Sequence, residues 1–158
     1  MSARAVAVAL LLAGVGGAGG TDAPARLLVV HKWADTVGVY DATTGAKLAS
    51  IPVGRKPHEV AVSADRRTAW VTDYGVDRYT EDAPGGNTLS VVDLAALRKA
   101  GSIDLGSYRR PHGVERGASG RLYVTVDQPP ALVVIDPVAG RVERAIELPG
   151  QKLPHMVA

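Results

Sequence analysis

The sequence predicts an all-β protein built from β-propeller blades of four antiparallel strands, with about two and a half blades in an open fragment of a larger ring. Three observations carry this reading. A Pro-His pair occurs at Pro57-His58, Pro111-His112 and Pro154-His155. An apolar run closing on an aspartate also occurs three times, from Val37 to Asp41, Leu89 to Asp93 and Leu132 to Asp136, and the histidines follow those aspartates by 17, 19 and 19 residues. Short β-branched runs fill the intervals, separated by turn residues, and no useful length has helical period.

The elements of one unit follow in order. The first strand is His58 to Val62, where Val60 and Val62 share a face by period-two alternation. The second is Thr68 to Asp73, matched by Leu122 to Val126, and its β-branched and aromatic residues suit a pleated, half-buried surface. The third is the run that closes on the aspartate. The fourth is Ala46 to Val53, Lys99 to Leu105 or Val142 to Leu148. Turns fall at Thr43-Thr44-Gly45, Ala64-Asp65-Arg66, Ser119-Gly120 and Val138-Ala139-Gly140. From His112 to His155 there are 43 residues and from His58 to His112 there are 54, and ten of the extra residues lie between Tyr74 and Thr88. The second blade therefore carries an insertion. Residues 27–53 give a partial blade, 58–106 and 112–149 full ones, and 155–158 the start of another. A ring broken there leaves an unpaired edge, so a truncated, aggregation-prone fragment is expected, with closure by oligomerisation as the rival.

Composition sets the outer limits. The 158 residues are 46% hydrophobic and 22% charged, as in a soluble globular domain, with 18 Gly, 10 Pro and no Phe. The net charge of +2 is scattered, so no nucleic acid partner is expected. The lack of cysteine excludes disulfides, thiolate zinc sites, cysteine nucleophiles and the thiol of a lipoprotein anchor. At the N-terminus, Arg4, the apolar run from Ala5 to Ala13 and the small residues from Gly14 to Gly20 have the three-part layout of a secretory signal peptide. The apolar run is too short to span a bilayer comfortably. Residues 1–25 are thus expected to be a signal peptide, cut after Ala18 or Ala25, and 26–158 a partial propeller. The mature protein would be periplasmic or extracellular, with no stable membrane span.

Trp70-Val71-Thr72-Asp73 and Tyr123-Val124-Thr125-Val126 resemble the YVTN signature, and Ile135 to Val142 resembles its usual continuation. Ile51-Pro52-Val53-Gly54, Pro57-His58 and Ser63-Ala64-Asp65 complete the pattern. The resemblance covers residues 27–158 and implies a YVTN-repeat (YncE-like) β-propeller, a family whose closed form usually has about seven blades. Asp73 and Val126 depart from the Asn of the signature, and Leu97 replaces the turn glycine seen at Gly45 and Gly140.

Familiar catalytic motifs are absent. Gly117-Ala118-Ser119-Gly120 is one residue short of a nucleophile elbow, and no H-E-x-x-H, Walker loop or dinucleotide fingerprint occurs. The Pro-His pairs are the principal candidates. Each sits where one blade hands over to the inner strand of the next, so His58, His112 and His155 are expected around one channel mouth, able to hold a metal or hydrogen-bond an anion. The plainer reading is a turn habit of the repeat. Arg109 and Arg110, just before Pro111, would lie at the same mouth and could hold a carboxylate or phosphate. The insertion, with Asp77, Arg78, Tyr79, Glu81 and Asp82, could decorate the binding face or be a solvated loop. Asp41, Asp93 and Asp136 read as turn makers, and Trp33 and Trp70 as packing residues between blades.

These features suggest a non-catalytic binding or scaffold protein of the cell envelope, whose partner is a small ligand or an envelope protein, with no cofactor evident. Lys56-Pro57-His58 through Asp77 also resembles lactonase-type propellers, which implies an alternative in which His58 and Arg110 activate water and steady a carbonyl. A redox-associated role is the second alternative.

Overall fold

The computed structural model describes residues 9–12 and 24–158. Most of the expected signal peptide therefore lies outside the described residues. Among the described residues twelve strands form three antiparallel sheets of four, each a simple up-and-down meander. The first sheet contains β1 (Ala9–Leu12), β2 (Arg26–His31), β3 (Thr36–Asp41) and β4 (Lys47–Pro52). The second contains β5 (Pro57–Val62), β6 (Thr68–Asp73), β7 (Thr88–Asp93) and β8 (Arg98–Asp104). The third contains β9 (Arg109–Arg116), β10 (Leu122–Gln128), β11 (Pro130–Asp136) and β12 (Arg141–Glu147). The first blade, which the repeat left without an inner strand, has that place taken by β1, which pairs with β2 from Ala9 opposite Val29 to Leu12 opposite Arg26. β1 falls within residues 1–25, the expected signal peptide, so this pairing covers the hydrogen-bonding edge of β2 in the uncleaved chain. No helix among the described residues is long and apolar enough to cross a membrane.

The blades are held together by their faces. Alternation sends Ala69 and Val71 of β6 toward the first blade, where they meet Leu28, Val30, Val37 and Ile51. Trp70, one residue out of step, faces the third blade and packs with Val114, Leu122, Val124 and Val133. The second sheet is thus apolar on both faces near its centre and shares one core with each neighbouring blade. Trp70 fills the packing role expected of it, whereas Trp33 is 49% exposed and does not. Trp33 lies past the end of β2, and its ring sits beneath the ammonium groups of Lys56 and Lys32, at 4.7 and 5.8 Å. The outermost strands carry charge, as Arg141, Glu143, Arg144 and Glu147 show on β12, which suits a solvent-exposed edge.

The aspartates that close the third strands make the turns. One carboxylate oxygen of Asp41 accepts the N–H groups of Thr43 and Thr44, Asp93 those of Ala95 and Ala96, and Asp136 those of Val138 and Ala139, all at 2.7–3.0 Å. These bonds hold the three carboxyls below the usual carboxylate range. Leu97 adopts φ 53°, the left-handed conformation that Gly45 and Gly140 supply in the other blades, so the turn persists without its glycine.

Candidate functional site

Antiparallel pairing puts the start of each first strand and the end of each second strand on one rim. The Pro-His turns lie there, and the first two, at Pro57-His58 and Pro111-His112, each coincide with a β-bulge. Pro57 pairs with Asp73 and Val60 with Val71, so His58 and Glu59 together oppose Thr72. Pro111 pairs with Val126 and Val114 with Val124, so His112 and Gly113 together oppose Thr125. A bulge of this kind re-aims the side chains beside it.

The signature threonine locks the bulge and reaches the next blade. Thr72 Oγ1 accepts the N–H of Glu59 at 2.9 Å and donates to the carbonyl of His112 at 2.9 Å. Thr125 Oγ1 repeats the arrangement, accepting from the Gly113 N–H at 2.8 Å and donating to the carbonyl of His155 at 2.9 Å. Gly113 is required where it stands, because a Cβ there would fall 2.6 Å from the His155 carbonyl oxygen. Successive Pro-His turns are therefore spaced by a threonine bridge.

The result is a column of imidazoles. His58 and His112 have ring centroids 3.9 Å apart with planes at 49°, and His112 and His155 are 3.9 Å apart at 41°. Tyr74 closes one side, 5.0 Å from His58 and edge-on to His112 at 5.4 Å. Burial is the main force on their protonation. It pushes His58 down to about 4, helped by the charges of Lys32 and His155, and His112 down to about 3, helped by His58, His155 and Lys32. Both are neutral at pH 7. Nδ1 of His112 is buried without a hydrogen-bond partner, which a neutral ring tolerates far better than an imidazolium would. As metal ligands, these rings would have to turn their nitrogens to one point. They lie ring against tilted ring instead, and among the described residues no group of three or more His, Asp or Glu is placed to hold an ion.

A second tier lies beside the column. Lys32, Tyr74 and Asp127 occupy the same place in their blades, two residues beyond Val30, Thr72 and Thr125, which pair with Val37, Leu89 and Leu132 in equivalent registers. Tyr74 donates its hydroxyl to Asp127 Oδ2 at 2.7 Å, a bond between blades two and three. Burial followed by the Asp127 carboxylate pushes the Tyr74 phenol well up, and burial also raises Asp127 against the pull of Tyr74 and Arg110. The two tiers, Leu153 and the Asp77–Thr80 stretch of the insertion enclose a pocket of about 610 Å³.

The arginines expected at the mouth are placed otherwise. Arg109 is half-buried at the start of β9 opposite Gln128, and does not line the pocket. Arg110 is 3% exposed, and its guanidinium donates to the carbonyls of Tyr79 at 2.9 Å, Glu81 at 2.5 Å and Ala83. Its own N–H donates to Gly86 at 2.7 Å. Arg110 is thus a clasp from the third blade onto the insertion of the second. Gly85 leaves it room, since a Cβ there would lie 2.5 Å from Arg110 Cγ. Lys56 bonds Asp77 at 3.0 Å and fixes the other end of the loop. Asp73 points away from the column. It accepts from Thr88, Ser90 and the Gly54 N–H, and so ties the link between blades one and two.

Comparison with known proteins supports the fold. No protein-family model and no curated protein matches the sequence. Among solved structures, hydrazine synthase of Kuenenia stuttgartiensis superposes with a TM-score of 0.69 and 26% identity over 78% of this chain and 34% of that one. The dihydro-heme d1 dehydrogenase NirN, in complex with DHE, gives 0.65 and 16% identity over 79% of this chain and 26% of that one. U3-55K gives 0.61 and 14% over 80% and 37%. The chain therefore spans about a third of each neighbour or less, and its sheets are the blades of an open β-propeller fragment.

Proposed function

We propose that this chain is part of an exported, non-catalytic binding propeller of the YVTN-repeat (YncE-like) kind, acting in the cell envelope and holding a small ligand at its axial pocket. The observation that carries the reading is the two-tiered pocket, in which His58, His112 and His155 and the equivalent residues Lys32, Tyr74 and Asp127 face the same space of about 610 Å³. A pocket of this volume is the usual size for a small-molecule site. Its groups are preorganised by backbone bulges and threonine bridges, which favours recognition at low entropic cost. The lactonase-like alternative has less support, because the guanidinium it needs at Arg110 is committed to three loop carbonyls. The redox-associated alternative rests on analogy with cofactor-linked propeller proteins, and no cofactor motif of the sequence supports it.

The test is equilibrium dialysis against a defined mixture of neutral, cationic and anionic metabolites, read by mass spectrometry. Wild-type protein should retain at least one compound, and His112→Ala should lose it. Retention of nothing by folded wild type, or equal retention by His112→Ala, would overturn the reading.

A further inference from the structure

Lys32 is a pocket cation with aromatic neighbours and, among the described residues, no bound carboxylate. It lines the pocket at the end of the second strand of blade one, partly buried, and its ammonium lies 5.5 Å from the ring centroid of Tyr74 and 5.8 Å from that of Trp33. Among the described residues no carboxylate stands within salt-bridge distance of it. The nearby acids are otherwise engaged, since Asp77 is bound by Lys56 at 3.0 Å and Asp127 accepts the Tyr74 hydroxyl at 2.7 Å. Burial lowers the affinity of Lys32 for its proton, and Lys56 adds to the effect while Asp77 and Glu81 oppose it. A partly desolvated ammonium without a counter-ion gains most from an anionic ligand. Arg78, exposed on the insertion, supplies a second cation to the rim.

The rim also carries two apolar side chains. Tyr79 is 63% exposed and Leu153 is 38% exposed, yet both line the pocket and neither belongs to a core. The Tyr79 backbone is fixed by the bond from Arg110 to its carbonyl, so the ring stands on an anchored segment. An exposed aromatic on a fixed backbone beside an unpaired cation forms an amphipathic receptor.

We propose that the pocket takes an aromatic carboxylate, with the carboxylate on Lys32, reinforced by Arg78, and the ring against Tyr79 and Leu153. This rests on the reading of the pocket as a small-ligand site and names the class of ligand. Isothermal titration with benzoate, acetate, benzyl alcohol and benzylamine tests it. Benzoate should bind about tenfold or more tighter than acetate or benzyl alcohol, because only benzoate uses both halves of the receptor. Lys32→Met should bring benzoate down to the affinity of benzyl alcohol, and Lys32→Arg should retain most of the binding. Tyr79→Ala should remove the preference for benzoate over acetate and leave acetate unchanged. Unaltered melting of the variants shows that they remain folded. Benzoate no tighter than the other probes, or unaffected by Lys32→Met, overturns the proposal. If benzyl alcohol or benzylamine binds and benzoate does not, the ligand class falls while the binding pocket stands. If no probe binds and the dialysis retains nothing, both fall.

Discussion

Acid should loosen this protein through His58 and His112, and substituting His112 by Phe isolates half of the effect. Above pH 6.5 both imidazoles are neutral in the folded and the unfolded chain, so neither contributes a pH dependence. Between 6.5 and their folded values of about 4 and about 3, the unfolded chain takes up protons that the column refuses. Stability is therefore intact above pH 6.5 and is lost as pH falls through that window, at up to about 1.4 kcal/mol per pH unit for each imidazole. Over one and a half units the two together lose at most roughly 3 kcal/mol, and solvent screening at the half-buried His58 makes the loss smaller. His31, whose affinity for a proton is lowered by burial and by Lys47, adds to the slope. Glu59, Asp73 and Asp127 oppose it, because burial raises their values and the folded chain protonates them first. The difference between wild type and His112→Phe cancels those shared terms and keeps an aromatic ring in the column. Urea unfolding at steps from pH 7.5 to 4.5 should give a variant curve flatter by about 1.4 kcal/mol per pH unit between roughly 6 and 4.5. Parallel curves for the two proteins would refute the reasoning.

Other perturbations test the same architecture. Thr125→Val keeps the shape but strands the Gly113 N–H and the His155 carbonyl, and should cost about 1–3 kcal/mol in urea unfolding; a change within about 0.5 kcal/mol would remove the bridge from the account. Arg110→Met frees three carbonyls of the insertion and should destabilise by about 3 kcal/mol. Trypsin should then cleave after Arg78 much faster than in wild type, and an unchanged cleavage rate would show the loop to be held by other contacts. In a secreting bacterium the protein should lose about 18–25 residues by intact mass, and recovery of the full-length chain from membranes contradicts export.

Features that repeat were visible in the sequence, and features that bind one repeat to another were not. The aspartates at 41, 93 and 136 act through their own turns, so local chemistry was enough to read them. The histidines were found because they recur, and their position on one rim follows from strand direction. Lys32, Tyr74 and Asp127 share an equally strict register but no side-chain chemistry, so a search for shared residues passes over them. Counting two positions on from the signature threonine would have exposed the tier. Arg110 looked like a ligand group because its neighbours in sequence are at the mouth. Its true partners lie some thirty residues back, and only the folded insertion brings their carbonyls to it. Trp33 was read as core from residue type alone, but it stands beyond the end of β2, where the alternation that buries Trp70 no longer applies.

The threonine bridge also explains why one repeated residue can have unequal environments. Each threonine holds the bulge of its own blade and the His carbonyl of the following blade. A histidine is therefore positioned from behind by the preceding blade. For His112 and His155 that support comes from Thr72 and Thr125. For His58 the corresponding residue is Val30, which can neither donate nor accept, and whose side chain is committed to the core between blades one and two. His58 accordingly lacks the carbonyl anchor that His112 has, and it is only half-buried where His112 is 7% exposed. The least anchored ring of the column is the one beside Lys32, whose charge already weighs on it. Adjustment to a ligand would then concentrate where the first blade meets the second, at Lys32 and His58, while the bridged turns keep their geometry.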